Sequence, residues 1–171
     1  IIPEVIEVDF SRRPEGLKPF EMLKYCPMCG SLIVKSKSDS LHFCPNKECG
    51  GRRLEEIIHY ASRVAMDIEG LSEATLEKFI ARGFIHDFGD IFEIGKHRDE
   101  IVEMDGFGEK SFENLMTSLD KAKETTLAKV IYSLGIANIG LANAKVICRH
   151  FDDDLEKIRY ADKEEISSID T

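Results

Sequence analysis

The chain has 171 residues, of which 43% are hydrophobic and 32% are charged, and this length allows one or two domains of ordinary soluble composition. No apolar run approaches the roughly 18 residues that a membrane helix needs, so we expect no membrane partner. The net charge of −9 lies in residues 61–171, which carry 14 basic and 23 acidic side chains, whereas residues 1–60 carry nine of each. A field of this sign repels nucleic acid at long range, so nucleic-acid binding would have to depend on local contacts.

The first 23 residues predict an extended segment followed by a linker. The stretch from Ile1 to Val8 is typical of an extended segment or an outgoing strand. Residues 12–19 contain two prolines and a glycine, which is typical of a linker.

Four cysteines in the next segment have the spacing of a zinc site. They form a Cys-x2-Cys pair and a Cys-x4-Cys pair separated by 14 residues: Cys26, Cys29, Cys44 and Cys49. Two chelating pairs at the ends of a short connection are what tetrahedral Zn²⁺ requires, and a glycine after each pair allows a positive φ. Four protein ligands leave no open position, so we predict a structural site. Few large apolar side chains surround it, so metal binding would supply the folding free energy.

Three alternatives compete with zinc: two disulfides, a four-cysteine iron site, and a redox Cys-x-x-Cys. Disulfides need an oxidising compartment, and no targeting pattern in this sequence indicates export to one. A redox pair does not explain the second cysteine pair. We interpret the fifth cysteine, Cys148, as a buried small hydrophobic residue, and the combination fits a reducing cytosol.

From Leu54 onward the apolar pattern becomes helical, and strand signals do not return. One face of the first predicted helix contains residues at helical spacing: Leu54, Ile57, Ile58, Ala61, Val64 and Ala65. We therefore predict a mostly α fold in which a small four-cysteine zinc finger precedes a helical bundle.

The helical part contains an internal repeat. Three segments share one pattern and begin 36 and 32 residues apart, at Ile68, Met104 and Ile136. Each has an apolar residue, a Gly or Asn two residues later, a further apolar residue and then Gly or Ser. A helix follows each of them in phase. A fourth segment begins at Ile169, where the sequence given ends, and residues 162–165 resemble a capping box of the helix before it.

The turn pattern resembles the helix-hairpin-helix motif, although an α-solenoid has a similar period. In the helix-hairpin-helix motif the glycines open the backbone, and the N–H groups at the start of the second helix form an anion site suited to phosphate. The candidate DNA contacts in the three turns are Gly70 and Ser72; Gly106, Gly108 and Lys110; and Asn138, Gly140, Asn143 and Lys145. Each turn has the alternative interpretation of plain helix capping. Arg52 and Arg53 are a backbone clamp or a solvated helix start.

With these pieces in order, the chain resembles part of a bacterial NAD⁺-dependent DNA ligase over nearly its whole length. The resemblance lies in the motifs Ile-Pro-Glu-Val, Arg-Pro-Glu-Gly, Tyr-Cys-Pro-Met-Cys-Gly-Ser and His-Tyr-Ala-Ser-Arg-Val-Ala-Met-Asp-Ile-Glu-Gly-Leu, which begin at Ile2, Arg13, Tyr25 and His59. Ser72 and Asn138 depart from it, since each stands where the motif has glycine. The resemblance implies an oligonucleotide-binding (OB) fold end and linker over residues 1–23, a zinc finger over 24–53 and helix-hairpin-helix repeats over 54–171, with the fourth unit truncated.

The resemblance also implies a function. Such ligases seal nicks in duplex DNA during replication and repair, with a lysine in Lys-x-Asp-Gly that accepts AMP from NAD⁺. That motif does not occur in these 171 residues. We therefore expect a DNA-binding fragment that holds Zn²⁺ and is inactive alone. It would be monomeric, cytoplasmic and nucleoid-associated when bound to DNA. It would work with the adenylation and OB domains of the same ligase, and NAD⁺ and Mg²⁺ would bind outside this fragment. Two rivals are a repair scaffold that docks a protein partner and an independent metal-dependent enzyme.

Overall fold

A computed structural model describes residues 6–36 and 41–169 of the chain. It contains two compact units, Ile1–Asn46 and Lys47–Thr171, each of which is described by itself below. Part of the extended segment predicted at residues 1–8 and the end of the fourth predicted turn, residues 170 and 171, lie outside the described residues. The division into segments 1–23, 24–53 and 54–171 stays a prediction.

The described part of the first unit has little regular structure. A single 3₁₀ turn, Phe10–Arg12, follows Asp9, whose carboxylate accepts the Ser11 N–H at 3.0 Å. Two short strands, β1 (Val34–Lys35) and β2 (His42–Phe43), pair antiparallel with Val34 opposite Phe43. An isolated antiparallel bridge joins Tyr25 to Leu32.

The described part of this unit has no apolar core. Leu32, Leu41 and Phe43 are 60%, 66% and 49% exposed, and Cys26 is the buried side chain among the described residues 6–36 and 41–46. Burial of apolar surface therefore contributes little to folding here. That metal binding provides the missing free energy stays a prediction.

The second unit is helical throughout its described part. Its helices are α1 (Gly50–Ala61), α2 (Glu73–Ala81), α3 (Phe88–Phe92), α4 (Arg98–Val102), α5 (Glu109–Ala122), α6 (Leu127–Ser133), α7 (Leu141–His150), α8 (Leu155–Tyr160) and α9 (Lys163–Ser167), with a 3₁₀ turn at Ile94–His97. No strand follows Phe43 among the described residues, so the predicted mostly α fold is confirmed.

Helix α1 differs from its prediction at both ends. It begins at Gly50, four residues before Leu54, because this first turn is polar and the apolar pattern does not reveal it. It ends at Ala61, since Ser62 leaves the helix with ψ 157°. Val64 is 58% exposed, so its predicted place on the buried face is wrong, whereas Ala65 is fully buried.

Two apolar clusters hold the helices together. The larger one joins side chains from α1, α2, α4 and α5 and includes the fully buried Leu76, Phe79 and Leu115. The smaller one lies between α6 and α7 and includes Cys148, which is 2% exposed. Burial raises the pKa of the Cys148 thiol, which agrees with its interpretation as a small hydrophobic residue.

A polar contact connects helices from the two clusters. His59 on α1 donates its Nε2–H to the Tyr132 carbonyl oxygen near the end of α6, at 3.0 Å, and the two rings meet edge to face. Gly135 follows with φ +63°, and a side chain there would lie 3.5 Å from the His59 ring. These contacts set the position of α6, which leads into the third turn of the repeat.

Candidate metal centre and nucleic-acid interface

The four predicted metal ligands come together in the structure. The Sγ atoms of Cys26, Cys29, Cys44 and Cys49 all lie within 4.8 Å of one another. With Zn–S bonds of 2.3 Å, a tetrahedral site has sulfur atoms about 3.8 Å apart, so small shifts bring this cluster to that geometry. The structure contains no disulfide among these four cysteines, contrary to the two-disulfide alternative, and the soft donor set fits Zn²⁺.

Local backbone bonds build the first cysteine pair. The Cys26 N–H donates to the Ser31 carbonyl at 2.8 Å, and the Gly30 N–H donates to the Cys26 carbonyl at 2.8 Å. Gly30 has φ +71°, as predicted for the glycine after this pair. The prediction is wrong for the second pair, because Gly50 starts helix α1 with an ordinary helical backbone.

The Cys29 sulfur lies among polar groups. Its Sγ lies 3.3 Å from the Ser31 hydroxyl oxygen and 3.5 Å from the Cys44 Sγ. Hydrogen bonds from the Ser31 hydroxyl and then from the Ser31 backbone N–H lower the pKa of Cys29 from 9.0 to about 6, with smaller contributions from Asn46 and Cys44. A thiolate is the form that binds metal, so Cys29 is prepared for ligation at neutral pH.

The three predicted turns share one backbone conformation. In each, the residue two positions before the helix cap has a positive φ, the cap is extended, and the helix starts at the next residue. The positive-φ residues are Gly70 (+93°), Gly106 (+82°) and Asn138 (+66°), and the caps are Ser72, Gly108 and Gly140. The repeat found in the sequence is therefore a repeat of structure, and asparagine takes the place of glycine at 138 without changing the turn.

The second turn has an open helix start. The first backbone bond of α5 runs from the Phe112 N–H to the Gly108 carbonyl at 3.0 Å, which leaves the three preceding N–H groups outside the helix's own bonds. Gly108 offers no side-chain cap, and a methyl group added there would meet nothing within 4 Å. Lys110 is exposed in the first turn of the helix.

The first turn is more occupied than the second. The Ser72 hydroxyl accepts the Thr75 N–H at 3.2 Å, so one of the free donors of α2 is already bonded. Gly70 packs against α5, since a side chain at this position would lie 3.6 Å from Leu115. The Glu69 N–H donates to the buried Ser118 hydroxyl at 2.7 Å, which holds the turn on that helix.

The third turn is braced by its own helix. The Asn143 side-chain amide donates to the Asn138 carbonyl oxygen at 3.2 Å and spans the turn. Gly140 provides no side-chain cap for α7, and Lys145 is exposed. The structure therefore gives Asn143 a structural bond within the turn.

Arg52 and Arg53 lie apart from this set. Arg52 forms an ion pair with Glu56 at 3.5 Å, and Arg53 forms one with Glu48 at 3.7 Å. No hydrogen bond or ion pair among the described residues joins either arginine to a turn. Exposed ion pairs of this kind contribute little to stability, so both side chains can exchange partners.

One further cation lies at the second turn and was not among the predicted site residues. The Lys78 ammonium on α2 donates to the Asp105 carbonyl oxygen at 3.0 Å and lies 4.0 Å from where a side chain on Gly106 would begin. The neighbouring Phe79 ring is 5.5 Å from the Phe107 ring, so α2 packs on this turn. No local pattern indicates the contact, because Lys78 and Asp105 are 27 residues apart.

Comparison with known proteins agrees with these features. The chain is 51% identical over 149 residues to a protein named DNA ligase from Lachnoclostridium phytofermentans, covering 85% of this chain and 23% of the relative. It is 44% identical over 171 residues to the DNA ligase of Ruminiclostridium cellulolyticum and 38% identical over 171 residues to that of Phytoplasma australiense. This chain is similar to DNA ligases. No protein-family model matches it.

The similarity to DNA ligases extends over both compact units. The second and third alignments cover 99% of this chain and 25% and 26% of the relatives, so the chain spans about a quarter of the length of the ligases it matches. Aligned residues therefore include the four cysteines and all three turns. In the part of the chain that the structure describes, no helix has the length and apolarity needed to cross a membrane.

Proposed function

We propose that this chain is the zinc-containing, DNA-binding part of an NAD⁺-dependent DNA ligase that seals nicks in duplex DNA during replication and repair. The observation that carries the proposal is the similarity to DNA ligases across 99% of the chain, together with three turns of one backbone conformation. In this proposal the three turns are helix-hairpin-helix units. The duplex with its nick is the partner of the assembled ligase.

The four-cysteine cluster holds Zn²⁺ in a structural role. Its donors are four thiols, and a tetrahedral ion that takes all four keeps no position for water or substrate. The ion stabilises a segment whose described apolar side chains are mostly exposed. This closed coordination is also the reason for setting aside an independent metal-dependent enzyme.

The turns bind phosphate groups of the DNA backbone. Unpaired N–H groups and the helix dipole attract an anion at the start of α5 and α7, where glycine lets the backbone approach closely. Gly106, Gly108 and Lys110 contribute most, because the second of the three turns has glycine at both positions of the pattern. Contacts to phosphate position a protein without reading bases, which suits an enzyme that acts at any nick.

Adenylate chemistry belongs to other parts of the ligase. The 171 residues contain no Lys-x-Asp-Gly motif to accept AMP, so NAD⁺ and Mg²⁺ act outside this chain and the chain alone is inactive. The excess of acidic residues in the helical part weakens binding to DNA at long range. We therefore expect modest affinity, with the remaining domains supplying the rest.

The experiment is binding of the zinc-loaded chain to a labelled nicked duplex, measured by fluorescence anisotropy across a salt series. Gly108→Ala adds one methyl group where a phosphate would approach, and its φ of −161° accepts any residue, so the variant should fold. Gly50→Ala is the matched control, because it also meets nothing within 4 Å. We expect salt-dependent binding that Gly108→Ala weakens and Gly50→Ala retains.

The charge distribution favours one second candidate, a scaffold that docks a protein partner. Residues 61–171 carry nine more acidic than basic side chains, which suits a basic protein surface better than a polyanion. Absence of DNA binding at low salt, with zinc and helicity verified, would support this candidate. If the Gly108→Ala and Gly50→Ala variants bound the duplex with equal affinity, the proposal that the turns bind phosphate would be wrong.

A further inference from the structure

The two cysteine pairs differ in the residue that follows their glycine. The first continues Cys29-Gly30-Ser31, whereas the second continues Cys49-Gly50-Gly51 and offers no side chain at the equivalent position. The Cys29 thiol donates to the Ser31 hydroxyl oxygen at 3.3 Å, and the hydroxyl becomes the donor in this contact when the sulfur is a thiolate. The Asn46 side chain forms a hydrogen bond with the same sulfur. Cys29 therefore has two side-chain partners supplied from opposite ends of the cysteine segment.

The backbone holds Ser31 in place for this contact. Its carbonyl oxygen accepts the Cys26 N–H at 2.8 Å, and the bond from Gly30 to the Cys26 carbonyl closes the same turn. Since both neighbouring bonds involve the first ligand of the pair, the position of the Ser31 hydroxyl is coupled to the position of the sulfurs. The hydroxyl is thus preorganised and does not have to be recruited when a metal binds.

A zinc ion with four thiolates carries a net charge of −2, which needs dispersal by hydrogen bonds. Cys26 and Cys49 are 8% and 1% exposed, whereas Cys29 and Cys44 are only half-buried. A half-buried thiolate is the one that water, acid or a competing chelator reaches first. Donors placed on Cys29 therefore act at a vulnerable edge of the centre.

We propose that Ser31 and Asn46 are positioning residues that hold the Cys29 thiolate on the metal by hydrogen bonds to its sulfur. The inference rests on the zinc occupancy in the proposed function but goes beyond it. Removing a group that bonds a metal ligand typically lowers metal affinity about 10- to 100-fold. Ser31 should have the larger effect, because its hydroxyl oxygen lies within hydrogen-bond distance of the sulfur, at 3.3 Å.

The test measures Zn²⁺ affinity of the full chain by competition with a chromophoric chelator at one fixed pH. Ser31→Ala and Asn46→Ala remove the donors, Ser31→Thr keeps the hydroxyl, and Ser11→Ala is the matched control, since Ser11 bonds Asp9 instead of a sulfur. A merely structural role would not move the thiolate-to-metal charge-transfer band of the Co²⁺ form. We expect about 10-fold weaker Zn²⁺ binding and a shifted band for Ser31→Ala, with wild-type behaviour for Ser31→Thr and Ser11→Ala.

Each outcome decides something different. If the wild-type chain binds no Zn²⁺, the proposed zinc centre fails and the inference fails with it. If the wild-type chain binds Zn²⁺ but Ser31→Ala and Asn46→Ala bind it equally well, the centre stands and the inference is overturned. If Ser31→Ala does not fold, the Zn²⁺ affinity of Asn46→Ala is compared with that of the wild-type chain in the same way.

Discussion

The two compact units are stabilised by different means. The described part of the first unit exposes its large apolar side chains and holds three of the four clustered cysteines, whereas the second unit holds Cys49 and buries Leu76, Phe79 and Leu115 completely. The second unit therefore depends on apolar burial, whereas the first has little of it and would gain its stability from the proposed metal ion. The predictions below test this difference, from the largest expected effect to the smallest.

The largest effect is expected from removing one ligand. Cys26→Ala leaves three thiolates and should abolish tight zinc binding, since structural zinc contributes apparent free energies of about 10–16 kcal/mol. Metal content and ¹⁵N-resolved nuclear magnetic resonance of the full chain would show loss of zinc and of the dispersed signals of residues 24–36, while the helical signals remain. Cys148→Ala is the control, because Cys148 lies in an apolar cluster and should leave the zinc content unchanged. Wild-type zinc affinity in Cys26→Ala would contradict the comparison.

A large effect on the second unit is expected from a core deletion. Phe79 is completely buried and contacts the rings of Phe84 and Phe107, so Phe79→Ala should lower the free energy of unfolding by about 3–5 kcal/mol. Urea unfolding of the zinc-loaded chain, followed by helicity, measures this. Phe20→Ala is the matched control, since Phe20 is 84% exposed, and a change beyond about 0.5 kcal/mol there would show that this side chain has a buried partner.

A medium effect separates the two glycines of the second turn. Gly106 has φ +82°, so Gly106→Ala should cost about 1–3 kcal/mol of folding free energy. Gly108 has an extended backbone and open space around it, so Gly108→Ala should change stability by less than about 0.5 kcal/mol. Thermal unfolding of both variants checks this. Equal destabilisation would mean that the two positions are not distinguished by their backbone.

The smallest effect concerns Lys78, the cation at the second turn that only the structure reveals. We expect Lys78→Met to weaken binding to the nicked duplex and to reduce the salt dependence of log K by about 1, as loss of one phosphate contact does. Lys123→Met is the charge-matched control, because Lys123 pairs with Asp120 at 2.8 Å on α5. If the two variants had identical salt slopes, Lys78 would not contact phosphate, and its role would be the hydrogen bond to Asp105.

Sequence and structure agree where the signal is local. The spacing of the four cysteines, the helical character after Leu54 and the three turns each depend on residues within about one turn or one chelating loop, and the structure contains all of them. The Asp162 carboxylate likewise accepts the Glu165 N–H at 2.7 Å, as its spacing predicts for a helix cap. The zinc ion and the DNA contacts remain predictions.

The amino-acid sequence by itself determined which segments gather the four cysteines, form helices and turn, because cysteine spacing, apolar periodicity and glycine placement act within a few residues. Only the tertiary structure decided that α1 ends at Ala61 and exposes Val64, that Leu115 lies against Gly70, and that Lys78 reaches the second turn. Two of these features are contacts between residues 27 and 45 positions apart, and the others depend on which face of α1 packs against other helices. Such pairings follow from the packing of whole helices against one another, which no local pattern encodes.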